Sequence, residues 1–140
     1  MKNILFIVLI CVLSGCSKDG ARGNNPYIPN YSFSIDINTN LPLYSGLNSP
    51  INPIYINQNA VGVKGIIVMK VSTTDYRAFE ASCPNQYPAD CSTLTIHGVN
   101  AKCPCDDKEY SLFTGVGPGE YPLKPYRVQV LNDNLIRVYN

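Results

Sequence analysis

From Tyr31 to the end of the chain, apolar residues recur at every second position in short runs. In "YSFSIDIN" (31–38) Phe33, Ile35 and Ile37 fall on one face. "PIYIN" (53–57) is a second run, and "GIIVMKVS" and "DYRAFEAS" flank Thr73 and Thr74 as the arms of a hairpin. "STLTIHGVNAKC" (92–103) predicts another hairpin, turning near His97 and Gly98. "YRVQVLNDNLIRVY" (126–139) predicts a third, turning at Asn132–Asn134. A period of two puts successive side chains on opposite faces of a strand, and the Asn, Gly and Pro between runs supply the turns. Eleven prolines and ten glycines, with no convincing amphipathic helix, predict an all-β antiparallel sandwich or barrel. There is no internal repeat and no low-complexity tract.

The N-terminus departs from this pattern. "MKNILFIVLICVLSGC" opens on Lys2, runs apolar from Ile4 to Leu13, and ends on Ser14, Gly15 and Cys16. A charged start, a short apolar core and small residues at its end describe a secretory signal over residues 1–15. The run is too short to span a bilayer with ease. Its ending "LSGC" resembles the lipobox of bacterial lipoproteins. That resemblance implies cleavage before Cys16, a diacylglycerol on its sulfur and an acylated amine, hence a stable membrane anchor. The expected location is the cell envelope, in the outer membrane facing the periplasm. "SKDGARGNNP" (17–26) is polar and without periodicity, so acylated Cys16 and a flexible tether are expected over 16–30, with the folded domain over 31–140. Without residues 1–15 the chain keeps 125 residues, enough for one domain with a core. It then carries ten basic and ten acidic residues, and a neutral chain lacks the basic face that nucleic-acid binding requires.

Cys11 falls within the signal and Cys16 takes the lipid, leaving Cys83, Cys91, Cys103 and Cys105. Export puts them in an oxidising compartment, where disulfides persist. Their spacing is not that of structural zinc sites, which bring two pairs separated by two to four residues, and no C-x-x-C motif occurs. The four cysteines read as two disulfides, each worth about 3 kcal/mol, with three pairings open. His97 is the only histidine and reads as a solvated turn residue, so no oriented base for a Ser–His–Asp triad is present. "GVGPG" (115–119) lacks the Lys-Ser/Thr and the helix of a phosphate loop. Asp106 and Asp107 read as a solvated acidic loop tip, with a calcium or partner site as the sharper alternative.

The order of landmarks carries more. "FEASCPN" followed by "CPCDDKEYSLFTGVGPGEYPL" resembles the Rieske family over roughly residues 60–140. In that family a Cys-x-His loop and a Cys-x-x-His loop hold a [2Fe–2S] cluster, two cysteines on one iron and two histidines on the other. Cys83 and Cys103 match the ligand cysteines. Asn85 and Asp106 stand where the two histidines belong, and Lys108 stands in place of a hydroxyl residue that bonds a cluster sulfur. Tyr110, Thr114 and Gly115 match the residues after the second loop, and Gly117 and Pro118 resemble the proline loop. The resemblance implies a Rieske-like antiparallel β sandwich or barrel with a loop-borne remnant of a cluster site. It also implies that Cys91 and Cys105 pair to tie the two loops together. If no cluster is held, Cys83 and Cys103 face each other and close a second disulfide.

An imidazole is a good neutral ligand for iron, and an asparagine amide is a poor one. The favoured expectation is therefore a membrane-anchored, non-enzymatic Rieske-like lipoprotein without its cluster and without another metal. Its role would be binding or structural, toward a protein or small-molecule partner. The alternative is an electron carrier holding a [2Fe–2S] cluster through Cys83, Cys103, Asp106 and a fourth ligand, Asn85 standing at that place. A third reading is a thiol-redox protein using Cys103 and Cys105.

Overall fold

The alternating runs become strands. The computed structural model describes residues 24–140, so the signal, Cys16 and the first part of the tether lie outside the described residues. The strands are β1 (Ser34–Asn38), β2 (Ile54–Ile56), β3 (Ile66–Lys70), β4 (Tyr76–Glu80), β5 (Thr95–His97), β6 (Asn100–Lys102), β7 (Glu109–Ser111), β8 (Pro125–Asn132) and β9 (Leu135–Tyr139). Six form an antiparallel sheet in the order β1-β9-β8-β4-β3-β2, and β5-β6-β7 form a second, three-stranded sheet. Among the described residues the fold is all-β, as the pattern predicts, with short 3-10 turns. Each predicted hairpin is present: β3 with β4, β5 with β6, and β8 with β9.

Burial explains which runs alternate and which do not. β1 sits at the margin of the large sheet, so Ile35 and Ile37 are buried and their neighbours are exposed. β3 reads as a continuous apolar run because both its faces are covered. Ile66 and Val68 join one core with Ile37, Leu47, Ile136 and Val138, while Ile67 and Met69 join a second with Phe79, Leu94, Tyr110 and Leu112. β3 and β4 thus form the wall between two cores, and the second core carries the cysteine loops. Burying one such Ile or Leu side chain stabilises the fold by about 1.5–3 kcal/mol.

Besides β7, three features of the fold were not read from the pattern. A 3-10 helix, Pro42–Asn48, closes the first core with Tyr44 and Leu47. Their three-residue spacing matches the three residues per turn of that helix. Glu80, at the end of β4, is fully buried. Its carboxylate accepts hydrogen bonds from Val63 N (2.7 Å), Lys64 N (2.9 Å), Ser82 N (3.0 Å) and the Tyr126 hydroxyl (2.6 Å). A buried charge needs such a set of donors to be tolerated. Burial and this neighbouring charge push the Tyr126 phenol far above its ordinary pKa.

The third feature corrects the boundary at residue 31. Residues 24–30, expected in the tether, lie against the domain. Ile28 is 2% exposed, and Asn25 Nδ2 donates to Pro84 O at 2.7 Å. Lys124 Nζ, almost fully buried, donates to Pro29 O at 3.0 Å and Asn30 Oδ1 at 2.9 Å. Burial holds the Lys124 ammonium below its ordinary pKa. These contacts span 59, 95 and 94 positions, which local polarity does not encode.

Candidate functional site

Three connections meet at one end of the second core: residues 81–94 after β4, residues 103–108 between β6 and β7, and residues 112–124 after β7. Backbone bonds set their shape. Cys83 N donates to Ser92 O and Cys103 N to Lys108 O, both at 2.8 Å, and Asp107 N returns to Cys103 O at 2.9 Å. The last turn puts Asp107 at φ 59°, a left-handed conformation that Asp tolerates better than most residues.

Two disulfides join the first two loops. Cys83 is bonded to Cys103 with Cα atoms 5.6 Å apart, and Cys91 to Cys105 with Cα atoms 5.2 Å apart. Cys83 and Cys103 are each 1% exposed, whereas Cys91 is exposed and Cys105 half-buried. The Sγ atoms of Cys83, Cys103 and Cys105 all lie within 4.8 Å of one another. Gln86 Nε2 donates to Cys103 Sγ at 3.4 Å. Cys103 and Cys105 are bonded to different partners, so they do not form the redox pair of the third reading.

The two positions that the resemblance gives to histidine are engaged elsewhere. Asn85 Nδ2 donates to the Tyr110 hydroxyl and to Tyr121 O, each at 2.9 Å, and its Oδ1 accepts from Tyr121 N at 2.8 Å. Both ends of the amide are satisfied, and they fasten the third connection to the first loop. The approach is close: a Cβ at Gly119 would stand 2.1 Å from Asn85 Nδ2, and one at Gly117 would stand 2.4 Å from Tyr110 Cδ1. Only glycine fits at either place. "GVGPG" is thus a packed cover over Tyr110. Burial pushes the Tyr110 phenol above its ordinary pKa, against the hydrogen bond from Asn85.

Asp106 is not the solvated tip expected of it. Its side chain keeps 24% exposure, its Oδ2 meets Lys108 Nζ at 2.8 Å, and its Oδ1 accepts Lys108 N at 3.1 Å. Burial acts to raise its pKa, but the Lys108 contacts prevail and hold the carboxyl below its ordinary value. Asp107 is 80% exposed and pairs with Lys102 at 2.9 Å. His97 ends β5 as an exposed side chain, with Nδ1 2.8 Å from Glu109 Oε1. The sequence offered no sign of the Gln86 or Glu109 contacts. For the Lys108 contact, the i, i+2 spacing of Asp106 and Lys108 inside a turn is the one local cue.

This donor set does not fit a [2Fe–2S] cluster. The cysteine sulfurs are spent on each other, the amide of Asn85 is committed to Tyr110 and Tyr121, and the Asp106 carboxylate is neutralised by Lys108. Around the loops Tyr27 packs edge-on against Tyr87 and Tyr121, at 5.1 and 5.9 Å between ring centroids. A separate cleft of about 500 Å³, lined by Arg77, Phe79, Phe113, Tyr126 and Arg127, contains none of the cysteine-loop side chains.

Fold and site together define an all-β, antiparallel domain whose two cysteine loops are locked by adjacent disulfides. No family model and no curated protein matches the sequence. Among solved structures, the chain is similar to one described as the small subunit of an NADH-dependent nitrite reductase from Mycobacterium tuberculosis. Identity there is 13%, coverage is 79% of this chain and 97% of that one, and the TM-score is 0.46. A chain of the complex of reduced oxygenase and oxidized ferredoxin in carbazole 1,9a-dioxygenase gives 18% identity, 79% and 94% coverage, and a TM-score of 0.48. The ferredoxin of carbazole 1,9a-dioxygenase from Nocardioides aromaticivorans IC177 gives 15%, 78% and 97%, and 0.45. At these scores the likeness carries no function across.

Proposed function

We propose that this protein is a Rieske-like lipoprotein of the cell envelope that has given up its iron–sulfur cluster and serves as a disulfide-locked binding or structural module. One observation carries the reading. The four positions where the resemblance expects ligands hold a disulfide, a fully hydrogen-bonded amide and an ion-paired carboxylate. Each of these contacts stabilises the protein's own loops, and none points a free donor at a shared centre. The module needs no cofactor to hold its shape, because the bonds that a cluster would supply between the two cysteine loops are made by the disulfides, and Asn85 fastens the third connection over them. Its anchor would be the lipid on Cys16, and its partners are proteins or small molecules reaching the membrane surface.

The test is a visible spectrum, iron analysis and free-thiol count on one sample of the exported chain, repeated after anaerobic reconstitution with iron and sulfide. Colourless protein with no iron and no free thiols is expected in both cases. About two irons per chain with a brown colour would replace this reading by electron transfer through an altered ligand set. Anchoring is tested separately. Cys16→Ala should move the protein from the membrane fraction to the soluble fraction, and retention on membranes after signal cleavage would refute the lipid attachment.

A further inference from the structure

We infer that the two disulfides act as a thiol–disulfide exchange relay, in which opening of the outer bond by a dithiol is passed to the inner one. This rests on the cluster-free reading, since the inner cysteines must be bonded to each other. Three observations carry it. The outer bond includes Cys91, an exposed residue, while both cysteines of the inner bond are buried. Cys105 Sγ lies within 4.8 Å of both inner sulfurs, so a small movement of one side chain brings it to attack. Gln86 Nε2 donates to Cys103 Sγ and to neither other sulfur, so it favours charge on Cys103.

Exchange runs through attack of a thiolate on a disulfide sulfur, and the better-stabilised thiolate leaves. A dithiol reductant attacks Cys91 Sγ, the Cys91–Cys105 bond breaks, and Cys105 departs as thiolate. The second sulfur of the reductant then displaces Cys91, so the reductant is oxidised by two electrons to its own disulfide and Cys91 becomes a thiol. Cys105 attacks Cys83 Sγ. The Cys83–Cys105 bond forms, the Cys83–Cys103 bond breaks, and the electron pair leaves on Cys103 beside the Gln86 amide before a proton from solvent neutralises it. This second step is redox-neutral. It also avoids a Cys103–Cys105 bond across Pro104. The chemical class of partner is an envelope protein carrying a reduced dithiol, which reaches the buried cysteines only by way of Cys91.

The experiment uses the exported full chain, first shown to be iron-free and without free thiols. One equivalent of dithiothreitol is added, thiols are trapped by alkylation, and the modified cysteines and remaining bonds are mapped by peptide mass spectrometry. Alkylated Cys91 and Cys103 with a Cys83–Cys105 bond is the expected result. Alkylated Cys91 and Cys105 with the inner bond intact, or all four cysteines opening together, would overturn the relay while leaving the cluster-free reading standing. Iron or free thiols in the starting protein would overturn both. A second measurement needs no reductant. Cys91→Ala leaves one thiol, which should be found shared between Cys105 and Cys103. Adding Gln86→Leu should slow the exchange between the two positions by about tenfold, the scale of one hydrogen bond to the charged leaving group. A thiol confined to Cys105 in Cys91→Ala refutes the exchange.

Discussion

Replacing Asn85 by Ala tests whether this residue has become a structural bolt. The side chain makes three hydrogen bonds, two to the backbone of Tyr121 and one to the Tyr110 hydroxyl. Tyr121 is half-buried, so water can reach its N–H and C=O once the amide is gone, and each bond lost there costs about 0.5–1 kcal/mol. Tyr110 is 1% exposed, so its hydroxyl is left without a partner, which costs about 1–3 kcal/mol. Together the loss is about 3 kcal/mol. With a urea slope of about 1.5 kcal/mol per molar, the unfolding midpoint should fall by about 2 M with the slope unchanged. The assay is equilibrium urea unfolding with disulfides intact. Tyr110→Phe removes only the hydroxyl bond and should cost about 1 kcal/mol. The double variant should cost less than the sum of the two, because the orphaned hydroxyl no longer exists. A loss below about 1 kcal/mol for Asn85→Ala, or strict additivity with Tyr110→Phe, would refute the account of Asn85.

Glu80→Gln should destabilise by about 3–4 kcal/mol and Tyr126→Phe by about 1.5–3 kcal/mol in the same assay. Four donors face the buried carboxylate, and an amide turned either way leaves a backbone N–H without an acceptor, so the reverse order of losses would count against it. Gly119→Ala should cost about 1–3 kcal/mol, because its Cβ would meet Asn85 Nδ2 at 2.1 Å, and an unchanged urea midpoint would show the cover to be loose. Asp106 has a folded pKa below its unfolded value, so its contribution is present above the unfolded value and is lost as pH falls through the folded one. Lys108→Met should raise the Asp106 pKa, read from its side-chain carboxyl carbon shift in NMR, and an unmoved titration would show that the ion pair does not hold the loop.

Local pattern was enough for every strand but β7, Glu109–Ser111, which lies inside the cysteine-loop landmarks. Ile35 and Ile37 alternate because one face of β1 is wet, and the unbroken run Ile66–Met69 is apolar because β3 is covered on both faces. Gly98 and Asn132–Asn134 mark two of the three hairpin turns because of what their backbones permit, so those elements follow from neighbouring residues alone. The landmarks of the cysteine loops were also legible, including the absence of histidine at positions 85 and 106. Spacing alone leaves three pairings open for four cysteines; the resemblance implied the pairing that is found, and the packing of two loops on the second core sets Cys83 against Cys103 and Cys91 against Cys105. Asn85 reads as a poor iron ligand, but its bond to Tyr121 spans 36 positions and exists because the third connection folds back over Tyr110. Glu80 is one more residue of an alternating strand until the 62–65 turn and Tyr126 close around its carboxylate. Residues 24–30 look like linker by composition, yet Ile28 is buried, Asn25 donates to the carbonyl of Pro84, and the carbonyl of Pro29 accepts from Lys124, both in distant parts of the chain. Backbone preference and burial act on neighbouring residues, so they leave a periodic trace in the sequence. Hydrogen bonds and sulfur bonds between loops depend on where the whole chain brings their ends, and that place is decided only in the folded molecule.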